Sequence, residues 1–387
     1  RSSAASDVYK RQVETLTLED CLRIGIDNNL SLESKRREIQ KSKYGVSENR
    51  ARLLPQISAV AGYSNNFDPP VSVTDGSSYG VPYNITQTLQ HSANAGLEMQ
   101  MPLFNQTLYT SMSIAKVMEE ISRLSYGKAR EDVILQISKM YYLGQVTAEQ
   151  IMLIKANITR LEELRDITQA FFDNGMSMEV DLKRVNINLE NLKVQYDNAQ
   201  AMMKQQLNML KYIMDYPAEK EIALTPVNTD SITTVALTGL SENIYELQLS
   251  QSQVQLAERQ KKIITNGYIP SLSLTGSWRY AAYTDKGYHW FHSGPSNQWF
   301  RSYGVGLTLR IPIFDGLDKT YKIKKAMIDI ENKRLAWEDA RKNLQTQYLN
   351  AVNDLMNNQR NFKKQKDNYL LAAVSYTHLR AHETCAD

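Results

Sequence analysis

GLEMQMPLFN at 96–105 returns, 210 positions on, as GLTLRIPIFD at 306–315. Each copy alternates apolar and polar residues, then closes on Pro-x-Phe. Just upstream, RLLPQISAVAGYS at 52–64 has its counterpart in GYIPSLSLTGSWR at 267–279, 215 positions later. Around these pairs the same order recurs: a helical run, a Pro, an alternating strand, a loop, a second strand, and another long helical run. A repeat of about two hundred residues is far longer than a solenoid unit. It describes a wall assembled from two similar pieces.

The alternation assigns the strands two faces. Ile57, Ala59, Ala61 and Tyr63 share one side of 56–64, with Ser58, Gly62 and Ser64 on the other. In 92–101, Ala93, Ala95, Leu97, Met99 and Met101 oppose Asn94, Glu98 and Gln100. In the second half, Leu272, Leu274, Trp278 and Tyr280 of 271–280 form an apolar side, as do Val305, Leu307, Leu309 and Ile311 of 302–311. Thr308 and Arg310 face the opposite way. Strands of about ten residues cross a bilayer when tilted. Aromatic residues gather toward their ends (Tyr63, Trp278, Tyr280, Trp299, Phe300, Tyr303), as in an interfacial girdle. Four strands cannot close a barrel around water, whereas four from each of several protomers can. An ordinary sheet packed on a core is the alternative, but the long attached helices leave such a sheet nothing to pack on.

Working outward, residues 14–30 read as a short helix with Thr17 as N-cap and Glu19 and Asp20 in its first turn, broken at Asn28 and Asn29. A helix over 31–53 is closed by Pro55, and 65–90, with Pro69-Pro70 and Asp75-Gly76, reads as a long loop. From 107 to 172 no Pro occurs, which predicts one helix about 100 Å long. FFDNGMS then turns the chain into a helix over 178–215. Its stripe Leu182, Val185, Leu189, Leu192, Tyr196, Ala199, Met203 and Leu210 keeps a heptad register with Gln206 as its polar interruption, the pattern of coiled-coil packing. This coiled-coil hairpin, 107–215, completes a first repeat over 14–215. Residues 216–241 are expected to be a connector, and 242–374 a second repeat, cut short. The opening 1–12 and closing 375–387 have the character of foreign, non-native sequence and are set aside.

Composition excludes several classes. The net charge is +3, too small for a nucleic-acid face. Cys21 and Cys385 make no disulfide framework. No run of about 18 apolar residues encodes a membrane helix, so any membrane crossing would fall to strands. No nucleophile–base pair or phosphate loop is present, which argues against an enzyme and against a bound cofactor. His289 and His292, three apart in an aromatic loop, read as surface residues rather than metal ligands.

The helix start LTLEDCL at 16–22, Leu54-Pro55 before the first strand, Met101-Pro102-Leu103-Phe104 after the second, and their duplicates Ile269-Pro270 and Ile311-Pro312-Ile313-Phe314-Asp315-Gly316 resemble the TolC family of outer-membrane efflux and secretion channels. The turn Phe172-Asp-Asn-Gly-Met-Ser-Met-Glu-Val-Asp-Leu182 is similar to that family's periplasmic tip. The resemblance implies an α plus transmembrane-β fold, in which a homotrimer builds a 12-stranded barrel in the outer membrane of a Gram-negative bacterium. That barrel would continue into an α-helical coiled-coil tunnel in the periplasm. It also implies a passive duct for small molecules or secreted proteins, docked to a periplasmic adaptor and an inner-membrane pump. On that reading Gly175, Met176, Ser177 and Asp181 form the adaptor-contact tip; without it, they are a plain helical turn with Ser177 as N-cap. Glu98, Gln100, Thr308 and Arg310 would line the lumen. Leu97, Met99, Trp278, Tyr280, Leu307 and Leu309 would face lipid or its girdle. A second tip would fall near position 385, so no gate residue is assigned. The competing expectation is a soluble or periplasmic coiled-coil scaffold without channel activity.

Overall fold

A computed structural model describes residues 14–69, 71–75, 77, 80–87, 89–227, 241, 243–284 and 299–384. In chain order it contains β1 (Glu14–Leu16), α1 (Leu18–Asn28), α2 (Leu30–Ala51), β2 (Gln56–Asn65), β3 (Val71–Asp75), β4 (Tyr83–Gln87) and β5 (His91–Phe104). Then follow α3 (Gln106–Asp173), α4 (Glu179–Met214), β6 (Ile222–Leu224), α5 (Tyr245–Asn266), β7 (Ser271–Thr284), β8 (Trp299–Arg310) and α6 (Asp318–Thr384). The chain divides into two units.

One unit takes in the described residues up to Ile39, Ser122–Leu249, and those from Glu338 on. Its core is Leu16, Cys21, Leu32, Val133, Ile137, Tyr141, Leu210, Ile213, Met214 and Ile222. Helix α1 starts in a capping box: Thr17 Oγ1 accepts from the Asp20 backbone N–H at 3.2 Å, and the Thr17 N–H donates to the Asp20 carboxylate at 3.3 Å. The Thr17 hydroxyl, donating to the same carboxylate, holds Asp20 below the usual carboxylate range. Asn29 stops α1 and starts α2. Its amide donates to Ile213 O at 2.7 Å, while its Oδ1 accepts from the Leu32 N–H at 3.1 Å. Helix α4 buries one stripe, running from Leu182 to Leu210 at heptad spacing, and ends at Asp215 in the left-handed conformation (φ 51°). Within that stripe Gln206 is buried and its Oε1 has no hydrogen-bond partner. Cys21 lies fully buried, and burial pushes its thiol up to about 11.

The other unit, Gln40–Ile121 with Ser250–Trp337, holds a four-stranded antiparallel sheet in the order β2-β5-β7-β8 and a separate hairpin β3-β4. Each of the two related Pro-x-Phe segments ends on a side chain that accepts from a backbone N–H in the first turn of the following helix. Asn105 Oδ1 accepts from the Thr107 N–H at 3.0 Å, and Asp315 Oδ2 accepts from the Lys319 N–H at 3.2 Å. Burial pushes the Asp315 carboxyl up, but hydrogen bonds and charge from Lys319 outweigh it and leave the group lowered. Between Asp315 and α6, Gly316 and Leu317 both take positive φ (66° and 69°), so the turn before α6 strains a branched side chain.

The structure corrects several boundaries. Residues 14–16 are not the start of a helix but a strand, parallel to β6 with Leu16 opposite Leu224, so the segment read as a connector supplies a strand. Hydrogen bonds fix this pair: the Tyr141 hydroxyl donates to Leu16 O at 3.3 Å, and that of Tyr216 to the Glu14 carboxylate at 2.6 Å. The 65–90 loop contains β3 and β4, where Val71 and Val73 alternate with Ser72 and Thr74. Beyond β3, the Asp75 carboxylate accepts from the Ser77 N–H. Strand β5 runs on past Met101 to Phe104. It does so because the ladder absorbs Pro102, which has no N–H to donate, in a register shift. Helix α6 continues beyond 374 to Thr384, since no Pro or Gly interrupts it there.

Candidate lumenal face and helical turn

The pleat sorts the sheet into two faces. On one, the register sets Gln56 opposite Gln100 opposite Thr275, and Ser58 opposite Glu98 opposite Ser277. Thr308 faces Ser273 and Arg310 faces Ser271 on the same side. A half-open hollow of about 700 Å³ lies against this face, lined by Gln56, Ser58, Glu98, Gln100, Thr275 and Ser277 among others. Gly304 and Gly306 of β8 border the same hollow. Hydroxyls brace the β7–β8 ladder from this face: Thr275 Oγ1 donates to Gly306 O at 3.2 Å, and Ser302 Oγ to Arg279 O at 3.4 Å. The Arg279 guanidinium donates to the Glu98 carboxylate across β5 and β7, and both side chains remain half-exposed.

The opposite face is apolar. Leu97, Trp278 and Tyr303 form one row across three strands, followed by Met99, Gly276 and Val305, then Met101, Leu274 and Leu307. Leu97, Trp278, Tyr303, Val305, Leu307 and Leu309 are all exposed, Tyr303 and Val305 to almost four-fifths. The Trp278 and Tyr280 rings meet edge-on at 5.6 Å. A broad apolar face of this kind calls for a non-aqueous partner.

Every sequence-assigned strand residue therefore sits on one of these faces. Glu98, Gln100, Thr308 and Arg310 share the polar side, and Leu97, Met99, Trp278, Tyr280, Leu307 and Leu309 the apolar side. Arg279, the partner of Glu98, escaped the sequence reading. Its period-2 spacing from Ser277 and Thr275 puts it on the polar side, but its partner depends on the β5–β7 register.

In the first unit, α3 ends at Asp173, and Gly175 just beyond it takes a φ of 72° that lets the chain reverse. The Met176 N–H then returns to Phe171 O at 2.8 Å and the Gly175 N–H to Phe172 O at 2.9 Å, closing a Schellman motif. Ser177 is not the N-cap of α4. Met178 holds that position without a side-chain bond, and Ser177 Oγ reaches back to Thr168 O at 3.4 Å. Met176 and Met178 are about three-quarters exposed, and Asp181 is exposed beside Arg184 at 3.9 Å. A hydrogen bond from Lys183 lowers the Glu179 carboxyl. Gly175→Ala places a Cβ in the left-handed region and costs about 1 kcal/mol. Hydrogen exchange at the Gly175 and Met176 amides should speed up about fivefold. Gly45→Ala, in the interior of α2 with open space around it, should instead stabilise its helix.

No group of His, Cys, Asp and Glu able to hold a metal occurs among the described residues, and His289 and His292 lie outside them. No described helix is long and apolar enough to cross a membrane.

Residues 24–214 match the outer membrane efflux protein family. The chain is 20% identical to the outer membrane protein TolC of Vibrio cholerae over 319 residues, 80% of this chain and 66% of that protein. To the probable efflux pump outer membrane protein TtgC of Pseudomonas putida it is 21% identical over 291 residues, covering 71% and 56%. It thus spans less than two thirds of either relative. Among solved structures, the outer-membrane channel OprN superposes with a TM-score of 0.69 at 15% identity, over 89% of this chain and 77% of that one. In the open state of the Neisseria gonorrhoeae MtrE outer membrane channel the values are 0.62, 20%, 87% and 72%. The described architecture is the fold these channels share, and over residues 24–214 the chain is similar to the outer membrane efflux protein family.

Proposed function

We propose that this chain contributes to a passive exit duct in the outer membrane of a Gram-negative bacterium. One observation carries the reading: a single sheet presents a polar face with a hollow against it, with Glu98, Gln100 and Arg279, opposite a broad exposed apolar face. Water on one side and lipid on the other satisfy both faces at once. Four strands cannot enclose water alone, so three copies would supply the twelve strands of a closed barrel, with the polar face as lumen. β7 and β5, at 14 residues each, are long enough to span. The turn at Gly175, Met176, Ser177 and Asp181 is the contact for a periplasmic adaptor, and the energy for transport comes from an inner-membrane pump. The repeat arrangement of two helix–strand–strand–helix halves, joined near 216–241, belongs to this proposal.

Fractionation and conductance test it. The protein expressed in a Gram-negative host should sediment with the outer membrane, resist extraction as a trimer, and open conductance steps in a planar bilayer. A monomer in the soluble fraction would sink the channel reading and leave a coiled-coil scaffold.

A further inference from the structure

The apolar face of the sheet carries one fixed charge. Alternation along β8 puts Trp299, Arg301, Tyr303, Val305, Leu307 and Leu309 on that face, and the register sets Tyr280 of β7 directly opposite Arg301. No other Asp, Glu, Lys or Arg occupies this face among the described strand residues, and Arg301 makes no ion pair among them. An arginine facing hydrocarbon is costly at the bilayer midplane and nearly free at the interface. Its depth therefore decides what it meets.

The register supplies that depth. From Arg301 the face continues through Tyr303, Val305, Leu307 and Leu309 to Ile311 without another charge. Those roughly ten residues advance about 33 Å along the strand, or about 25 Å along the membrane normal at a tilt near 40°. That is the height of an outer-membrane apolar band. Arg301 thus stands at one edge of the band, framed by Trp299, Tyr280 and Tyr303, at headgroup level. The helices leave the sheet from the opposite end, where β7 begins after α5 and β8 leads to α6. This edge accordingly faces the external leaflet. A guanidinium held there offers a fork of N–H donors suited to phosphate oxygens, with flat rings on either side for the glycerol or sugar carrying them.

We propose that Arg301, with Trp299, Tyr280 and Tyr303, binds the anionic phosphate headgroup of an outer-leaflet lipid. The inference rests on the reading of the sheet as a membrane barrel. The full chain would be reconstituted into nanodiscs of phosphatidylcholine containing a minor fraction of phosphatidylglycerol, and retained lipid counted by native mass spectrometry. Phosphatidylglycerol should be enriched about fivefold over its bulk fraction, the effect of one surface cation. Arg301→Gln should abolish the enrichment, Arg301→Lys should keep part of it, and Arg310→Gln, on the polar face, should leave it intact. Equal retention by wild type and Arg301→Gln overturns the site. Displacement of the lipid by millimolar inorganic phosphate also overturns it, in favour of a free-anion site. A chain that never enters the nanodisc fails the barrel reading itself, and the lipid site with it, whereas insertion without lipid preference fails the site alone.

Discussion

Gly96→Ala should cost on the order of 3 kcal/mol and strip the chain of its assembled sheet. Gly96 sits in β5, paired with Val60 on one side and Arg279 on the other. A Cβ there would stand 2.4 Å from the backbone oxygen of Trp278 and 2.7 Å from the Arg279 Cα. Neither is the free end of a side chain, so relief requires β5 and β7 to part. These are the two middle strands, and the next residues along β5, Leu97 and Glu98, carry the sheet's rows toward Trp278 and Ser277. A slip of one residue would exchange the two faces and turn Glu98 toward the apolar side. Gly304 borders the same hollow, but a Cβ there meets nothing within 4 Å. Gly304→Ala should therefore stay within about 0.5 kcal/mol of wild type. The comparison is made on yield in the outer-membrane fraction and on the β signal of purified protein during thermal unfolding. Equal behaviour of the two variants would show that β5 and β7 do not approach as closely as the register requires.

Periodicity carries information only where one side of an element differs from the other, and this chain shows both outcomes. In β2, β5, β7 and β8 the apolar and polar positions alternate over most of their length, with Arg301 and Phe300 reversed, so the face of Glu98, Leu97, Thr308 and Leu309 follows from their spacing alone. The buried stripe of α4 follows in the same way, from a period near 3.5. Local chemistry was equally legible: Thr17 with Asp20 three residues on, and a glycine where the chain must turn left-handed at 175. What stayed hidden depends on partners distant in sequence. Leu16 is a strand residue only because Leu224 lies beside it, and three residues make no pattern. Glu98 finds Arg279 through a register fixed by the whole ladder, and Ser177 loses the cap of α4 because the motif at Gly175 places Met178 there. The face of a residue can thus be read from sequence, whereas the medium that face meets is decided by assembly.

Leu210→Ala should destabilise the first unit by about 3 kcal/mol, within the range for emptying a well-packed site. Leu210 has no exposed surface and joins a core drawn from four directions in sequence: Leu16 and Cys21, Leu32, Val133 to Tyr141, and Ile222. These segments are held by side-chain-to-backbone hydrogen bonds as well as by packing. Asn29 grips Ile213 O, and the Tyr141 hydroxyl reaches Leu16 O. The surroundings consequently have little freedom to collapse into a cavity, which places the cost above the bare transfer of the lost methyl groups. Val194→Ala removes apolar atoms from the same helix at an exposed position, outside the stripe, and should change stability by less than about 0.5 kcal/mol. Urea unfolding in detergent, followed by the helical signal, separates the two. A Leu210→Ala midpoint no lower than that of Val194→Ala would mean that α4 is not held by its heptad face. The packing of Cys21, Ile137 and Met214 around Leu210 would then lose its role as the anchor of that unit.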